Sequence, residues 1–452
     1  MQQPSSKTKR IRCTLPVLVL ITIAALDSAD KALLGASFPM LEKALGLHVD
    51  TLGYFSLFTN LSYALGLPFW GYLLHRYTVQ HAHNLLAFSC ILWGVATLSI
   101  AQSTTIYSQG FFRSINGGAL ASILPLSQMM LAEQVPSSMH GSAFGFMGLL
   151  EKAAATIATS AVVWYDDWRI PYNFIGCISI LMAVAARRYT AMNTATRRHS
   201  STANNSERED HHNLSFVGIL RRISKMPTFV YLVAQGLFGA IPWDAMSFVL
   251  LLLEWKDFTK EQIISYQFIG GLCGTVGAFV GGVLGDYFAY IPGGRMAVAM
   301  FAIVVGNIFY ALFLFSEVYH MSILWYSLFH LVACWCPAAA CRPICIDLAR
   351  NQLERAQIVA AWVLMEKISS SIFGAPLVGF LTKRLFDENL VSTNLEKSRV
   401  LAGNMCLLST LFWGMCAYFW ATMVKIERRQ KKQKMMSNDE GEGHDAGHGH
   451  IL

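Results

Sequence analysis

Charge is what this chain has least of. Asp, Glu, Lys and Arg make up 14% of its 452 residues, against 54% hydrophobic, where a soluble domain carries about 25% charged residues. Such a composition cannot clothe a water-facing surface. Catalytic signatures are missing too. No Ser-His-Asp order, H-E-x-x-H pair or metal-ligand spacing lies in a polar loop, which argues against an enzyme. Without a Walker loop, ATP-driven pumping is excluded, and no cofactor is implied. No soluble segment carries a basic face, so the net charge of +7 is not the footprint of a nucleic-acid partner. Ten cysteines are present, but none falls in a loop read as external, so a disulfide framework is not expected. The basic stretch Lys7, Lys9, Arg10 and Arg12 precedes the first apolar run as it would in a secretory signal. No A-x-A-like site follows, and the run holds Asp27, Asp30 and Lys31. It reads as a first span with the N-terminus left inside.

What is abundant is apolar length. A bilayer crossing needs about 20 apolar residues in a helix, and lipid forces each backbone group to be satisfied within its own segment or in a closed barrel. Runs such as Asn404 to Val424 are too long for barrel strands. The expectation is an all-α membrane protein with about twelve transmembrane helices, near 15–38, 51–74, 84–102, 105–132, 142–164, 170–187, 227–253, 262–287, 296–316, 321–347, 356–382 and 400–424. Most of the 35 Lys and Arg then fall on the side of the N-terminus, which the positive-inside rule makes cytosolic for both termini.

The expected organisation is a cytosolic N-tail (1–14), a six-helix bundle (15–187), a polar linker (188–226), a second six-helix bundle (227–424) and a cytosolic C-tail (425–452). The linker is rich in Arg, Ser, Thr, Asn and His and reads as disordered. The C-tail reads as similar. Its His444, His448 and His450 are better explained by solvation than by a metal. Cys334, Cys341 and Cys345 share a face of span ten, where packing as small hydrophobes outweighs a thiol or metal site. The two bundles repeat. Leu149-Leu150-Glu151-Lys152 corresponds to Leu364-Met365-Glu366-Lys367, and Pro125 to Gln134 aligns with Pro343 to Asn351. Six plus six spans about a cytosolic linker is a parallel-repeat pattern.

Asp30-Lys31 followed by Ala36-Ser37-Phe38-Pro39, Arg113 to Gly118 in span four, Gly239 to Phe248 in span seven, and Gly281-Gly282…Gly285-Asp286…Gly294-Arg295 carry a likeness to a known family. Over about residues 15–424 the chain resembles the major facilitator superfamily, and within it the spinster-like lipid transporters and related plant and protist members. The resemblance implies the major facilitator fold, alternating access between two halves, and a small-molecule or lipid substrate. It departs at two points. The glutamate that spinster-like proteins carry seven residues after the span-four arginine is Leu120 here. The G-x-x-x-D-R loop reads Gly71 to Arg76 with His75 in place of aspartate. A sphingolipid substrate therefore does not carry over.

Charges within spans cost a few kcal/mol each and usually face a partner or a cavity. Asp27 and Lys31 stand at i,i+4 and can pair, with Asp30 on roughly the same side. They form either a neutralised cluster or a substrate- and proton-binding site. Arg113 needs acceptors. The resemblance places it on the central cavity facing span one, and the alternative is snorkelling at the mouth. Burial and a neighbouring guanidinium act in opposite senses on a carboxylate's proton affinity, so Asp30 with Arg113 is the preferred proton-coupling pair. Glu151 and Glu366, each beside a lysine, are either substrate contacts or gate ion pairs. Pro242 interrupts span seven, where Trp243 and Asp244 could line a site or merely pack a kink. By resemblance Arg76, Asp286 and Arg295 serve gating, with Asp286 near the N-terminus of span eleven. The expected partners are a solute, protons and the lipid bilayer around a monomer. A non-transporting sensor that keeps the fold is the competing reading.

Overall fold

The computed structural model describes residues 15–77, 82–135, 140–190, 216–348, 352–389 and 393–445. Among the described residues the regular structure is entirely helical. Eight helices among the described residues are long and apolar enough to cross a bilayer by length and composition. Others are disguised by their chemistry: the first helix holds three charged residues, and span ten is broken in two.

The chain parts into two compact units. Residues 1–37 and 62–211 cluster in one, and residues 38–61 and 212–452 in the other. In unit 1, α1 (Leu15–Ala36) is followed by α3 (Val49–Tyr77, of which the unit takes the part from Ser62), α4 (Ala82–Gln102), α5 (Ile106–Gln134), α6 (His140–Tyr165) and α7 (Arg169–Ala185). Helix α1 packs along α6 and also meets α5 and α7, while α4 lies against both α5 and α7. In lipid there is little hydrophobic drive between helices, so close approach through small residues holds them. The α4–α7 crossing shows it. A Cβ on Gly94 would stand 2.8 Å from the Gly176 carbonyl oxygen, and one on Gly176 would stand 3.0 Å from that of Gly94. Helix α5 starts at a capping box in which Thr105 and Ser108 satisfy each other's backbone N–H.

Unit 2 opens with the short helix α2 (Phe38–Leu45) and the first part of α3. It continues with α8 (Phe216–Ile223), α9 (Pro227–Ala245), α10 (Val249–Trp255), α11 (Lys260–Tyr287), α12 (Gly294–Phe315), α13 (Tyr319–Ala333), α14 (Arg342–Asp347), α15 (Gln352–Phe373), α16 (Ala375–Asn389) and α17 (Asn394–Asp445). Helix α9 packs on α15 and α17, and α12 on α13 and α17. Helix α2 is pinned by Phe38 on Phe248, ring centroids 5.0 Å apart, by the Trp255 indole N–H donating to Glu42 at 3.2 Å and by a Lys43–Glu254 ion pair. Lys256 caps the end of α12, its ammonium donating to the carbonyls of Phe313, Leu314 and Ser316. Burial pushes this lysine down to about 8, against the pull of Glu317.

Three spans are broken, one of them at a different place than expected. The seventh is not interrupted at Pro242, which lies inside α9. The helix tightens just after it, through a 3-10 turn at Met246–Phe248. The tenth is cut by a π-helical turn at Pro337–Cys341, and the eleventh by Gly374 between α15 and α16. The C-terminal segment also differs from its reading as a linker-like tail, because α17 continues to Asp445. Its run of Glu, Arg, Gln, Lys and Met consists of good helix formers that need no apolar face to propagate an existing helix. The N-tail, the middle of the linker (191–215) and the last residues with His448 and His450 lie outside the described residues. The linker's described end forms α8, whose Arg222 donates to the Leu348 carbonyl at 3.4 Å.

Candidate functional site

In unit 1 the charges of α1 are divided by neighbours from α3, α4, α5 and α7. Asp27 is buried, and Lys31 donates to its Oδ2 at 2.7 Å, the i,i+4 pair expected of that spacing. Lys31 is a third exposed, and its ammonium stands 4.5 Å from the Tyr63 ring centroid. The other Asp27 oxygen, Oδ1, is buried without a hydrogen-bond partner among the described residues.

Asp30 is buried in a separate set of partners. Thr97 Oγ1 donates to its Oδ1 at 3.0 Å and Asn116 Nδ2 to its Oδ2 at 2.9 Å. Asn116 also donates to Thr97 Oγ1 at 3.0 Å, and the Thr97 hydroxyl has a second acceptor, the Trp93 carbonyl, at 3.0 Å. Arg113, 2% exposed, reaches a neighbour on its own helix and one on α7. Nε donates to Gln109 Oε1 at 3.1 Å and Nη1 to the Tyr172 hydroxyl at 3.1 Å. Gln109 in turn donates to the Ile100 carbonyl at 3.1 Å. The Tyr172 ring also faces the guanidinium, its centroid 5.6 Å from Arg113 Cζ. Asp30 thus accepts from two neutral donors, Thr97 and Asn116. Asn116, three residues after Arg113 on α5, shares its face.

In unit 2, Asp244 sits at the end of α9. Its Oδ1 accepts from Asn60 Nδ2 at 2.6 Å and from Ser56 at 3.2 Å, and its Oδ2 accepts from the Ala375 backbone N–H at 3.0 Å. The last bond places a carboxylate at the N-terminus of α16, where the helix dipole favours it. Trp243, 39% exposed, lies against Phe329, His330 and Trp413 at ring-centroid distances of 5.6, 6.4 and 6.0 Å. Beside it Phe238 is stacked between Phe412 and Phe419. Glu366 on α15 is half-buried against Gly236 of α9. A Cβ there would meet Glu366 Oε1 at 2.5 Å, its Cγ at 2.8 Å and Trp362 Nε1 at 2.9 Å. Gly236→Ala is therefore expected to destabilise the protein by about 1–3 kcal/mol. Thermal unfolding in detergent would read this as a lowered midpoint, and an unchanged midpoint would show that Glu366 and Trp362 move aside freely.

The remaining candidates are dispersed. Glu151 is half-buried on α6 beside an exposed Lys152. Asp286 pairs with Arg295 at 2.9 Å, an ion pair between the end of α11 and the first turn of α12, with the aspartate 77% exposed. Such a pair contributes at most about 1 kcal/mol. The side chains at the start of span eleven, where the resemblance places Asp286, are outside the described set. Arg76 lies on α3, and its side chain is likewise outside the described set. Sequence reasoning missed Thr97, Gln109, Asn116 and Tyr172 in unit 1, and Ser56 and Asn60 beside Asp244. Of these only Asn116 carried a local signal, its i+3 position from Arg113.

Long apolar helices with hydrogen-bonded charges at mid-span define an all-helical, integral, multi-pass membrane protein. The model of the Major Facilitator Superfamily matches residues 20–374, and the chain belongs to that family. Membrane transport is accordingly its general function. Among curated relatives, the uncharacterized transporter YybO of Bacillus subtilis (strain 168) is 24% identical over 413 residues, 87% of this chain and 92% of its own length. The probable galactarate/D-glucarate transporter GudP of the same organism is 26% identical over 191 residues, 40% of this chain, and the match spans only 41% of that relative's length. Among solved structures, a bacterial homologue of the human lysosomal transporter Spinster superposes with a TM-score of 0.75 at 14% identity, covering 92% of this chain and 97% of the other. A D-xylose–proton symporter gives 0.63 at 14% identity, with 88% and 96% covered. At these identities the likeness is one of fold.

Proposed function

We propose that the protein is a proton-coupled secondary transporter that carries a small organic solute by alternating access, with Asp30 as the proton carrier. The observation that carries this reading is the set of neutral partners on Asp30. Protonation of Asp27 would break an ion pair with Lys31, whereas protonation of Asp30 breaks none with Thr97 or Asn116. The network is built to take the proton. When Asp30 Oδ1 becomes a hydroxyl it can donate to Thr97 Oγ1. The Thr97 hydroxyl then turns to the Trp93 carbonyl, already at 3.0 Å, and Asn116 keeps both of its bonds. Every polar atom of the group stays satisfied in both protonation states, which a buried network requires.

Lys31 is the cation a solute can reach. An ammonium at this depth cannot face lipid without large cost, so its exposed side marks the water-lined face of unit 1. An anionic solute group bound there would compete with Asp27 for Lys31, and by linkage the coupling between solute and proton is reciprocal. Arg113 acts behind this face by orienting Tyr172. The sugar diacids named for GudP are the first probes of a carboxylate substrate. A metabolite comparison of cells with and without the protein widens the search. The decisive test uses purified protein in liposomes with an imposed pH gradient. Solute accumulation that a protonophore abolishes is expected, and accumulation indifferent to the gradient would overturn proton coupling.

An amphipathic lipid is the second reading, favoured by the exposed Trp243 indole and the stacked Phe238, Phe412 and Phe419 in unit 2, which offer an apolar track that a sugar acid does not need. Both termini are proposed to be cytosolic, from the distribution of basic residues. An epitope placed after Leu452 should bind antibody only after the membrane is permeabilised, and binding on intact cells would reverse the topology. Asp286 with Arg295 is assigned to gating, where its exposure and modest strength suit a contact made and broken in each cycle.

A further inference from the structure

Cys336 and Cys341 stand five residues apart. On an α-helix that separation turns the side chains about 140° away from each other, so periodicity groups Cys341 with Cys334 and Cys345 and leaves Cys336 out. The π-helical turn at Pro337–Cys341 changes this. The Arg342 N–H donates to the Pro337 carbonyl, an i to i−5 bond that brings residues five apart onto one side. The Cys336 and Cys341 sulfurs lie 3.7 Å from each other. Cys336 is half-buried and Cys341 is buried. The buried Gln235 side chain of α9 attends the inner thiol: its Nε2 donates to Cys341 Sγ at 3.8 Å, and its Oε1 accepts from Cys416 Sγ at 3.4 Å. Among the described residues no group of three or more His, Cys, Asp and Glu could hold a metal ion.

We propose that Cys336 and Cys341 form a reversible disulfide within the helix, made by exchange with a low-molecular-weight disulfide. The less buried Cys336 gives up its proton, and its thiolate attacks one sulfur of the small disulfide RSSR. A Cys336–S–S–R bond forms, and the RSSR bond breaks with release of RS⁻. Cys341 then loses its proton and attacks the Cys336 sulfur, forming the Cys336–Cys341 bond and expelling the second RS⁻. The two protons end on the two released thiolates, so two cysteine thiols and one RSSR become one protein disulfide and two RSH. A thiol reductant reverses the sequence. The bond holds the π-turn in place, because an α-helical realignment would carry the two sulfurs apart.

The test uses the full chain, reduced, reconstituted in lipid nanodiscs and freed of reductant. Oxidised glutathione is added, free thiols are alkylated after denaturation, and the peptides are weighed. The expected product is a peptide two hydrogens lighter, unalkylated at Cys336 and Cys341, alkylated at Cys334, and returned to the fully alkylated form by dithiothreitol. In Cys341→Ser, Cys336 should instead be recovered as a stable mixed disulfide with glutathione. In Cys336→Ser, Cys341 should be recovered alkylated. Size-exclusion profiles like the parent's confirm that both variants fold. Recovery of both cysteines alkylated in the treated parent chain would overturn the proposal, as would a mixed disulfide that never closes, or linkage of Cys341 to Cys345 or Cys416.

Discussion

Asp30→Asn is expected to collapse gradient-driven accumulation to the equilibrium ratio while exchange of solute across the membrane continues. A one-unit pH gradient acting through one proton supports about tenfold accumulation, so the ratio should fall from about ten to about one. The substitution suits the test because it reproduces the protonated network. The asparagine oxygen accepts from Asn116, its NH2 donates to Thr97 Oγ1, and the Thr97 hydroxyl turns to the Trp93 carbonyl. The fold should survive with the carrier held permanently in one of its two states. Counterflow with solute on both sides measures exchange, and uptake against a pH gradient measures coupling. Full accumulation by the variant would remove Asp30 as the carrier and transfer the role to Glu151 or Glu366.

Arg113→Lys is expected to slow transport about ten- to a hundredfold, the equivalent of about 1.5–3 kcal/mol for a lost hydrogen bond to a charged group. The guanidinium serves two acceptors in different directions, Gln109 through Nε and Tyr172 through Nη1. An ammonium on a flexible stem keeps the charge but cannot span both in one geometry. Tyr172 would then lose the contact that orients its hydroxyl. Initial uptake rates, normalised to the monodisperse protein recovered on size exclusion, give the result. Near-parental rates would show that only the charge of Arg113 matters and that Tyr172 needs no positioning.

The Asp27–Lys31 pair was legible because it depends on a separation of four residues along one helix. The partners of Asp30 were not, since Thr97 and Asn116 are 67 and 86 residues away in the chain. Asn60 and Ser56 on Asp244 are more distant still, at 184 and 188 residues. The breaks at Met246–Phe248 and Pro337–Cys341 escaped a reading based on one helical period. Pro242 is visible in the sequence, but it marks a loosened ladder without saying which turn absorbs the change.

By itself the sequence determined that this protein lives in a membrane, that its spans are helices, and that a few costly charges lie within them. Each of these follows from local composition, because the bilayer demands about 20 apolar residues per crossing and internal satisfaction of every backbone group. The sequence likewise carried the family, through motifs spread over much of its length. Only the tertiary structure decided which donors surround each charge, that Arg113 holds Tyr172 while Asn116 and Thr97 hold Asp30, and that a π-turn brings two cysteines to 3.7 Å. Those pairings depend on which faces of distant helices meet, and an apolar helix in lipid has no amphipathic stripe to announce the face it will bury.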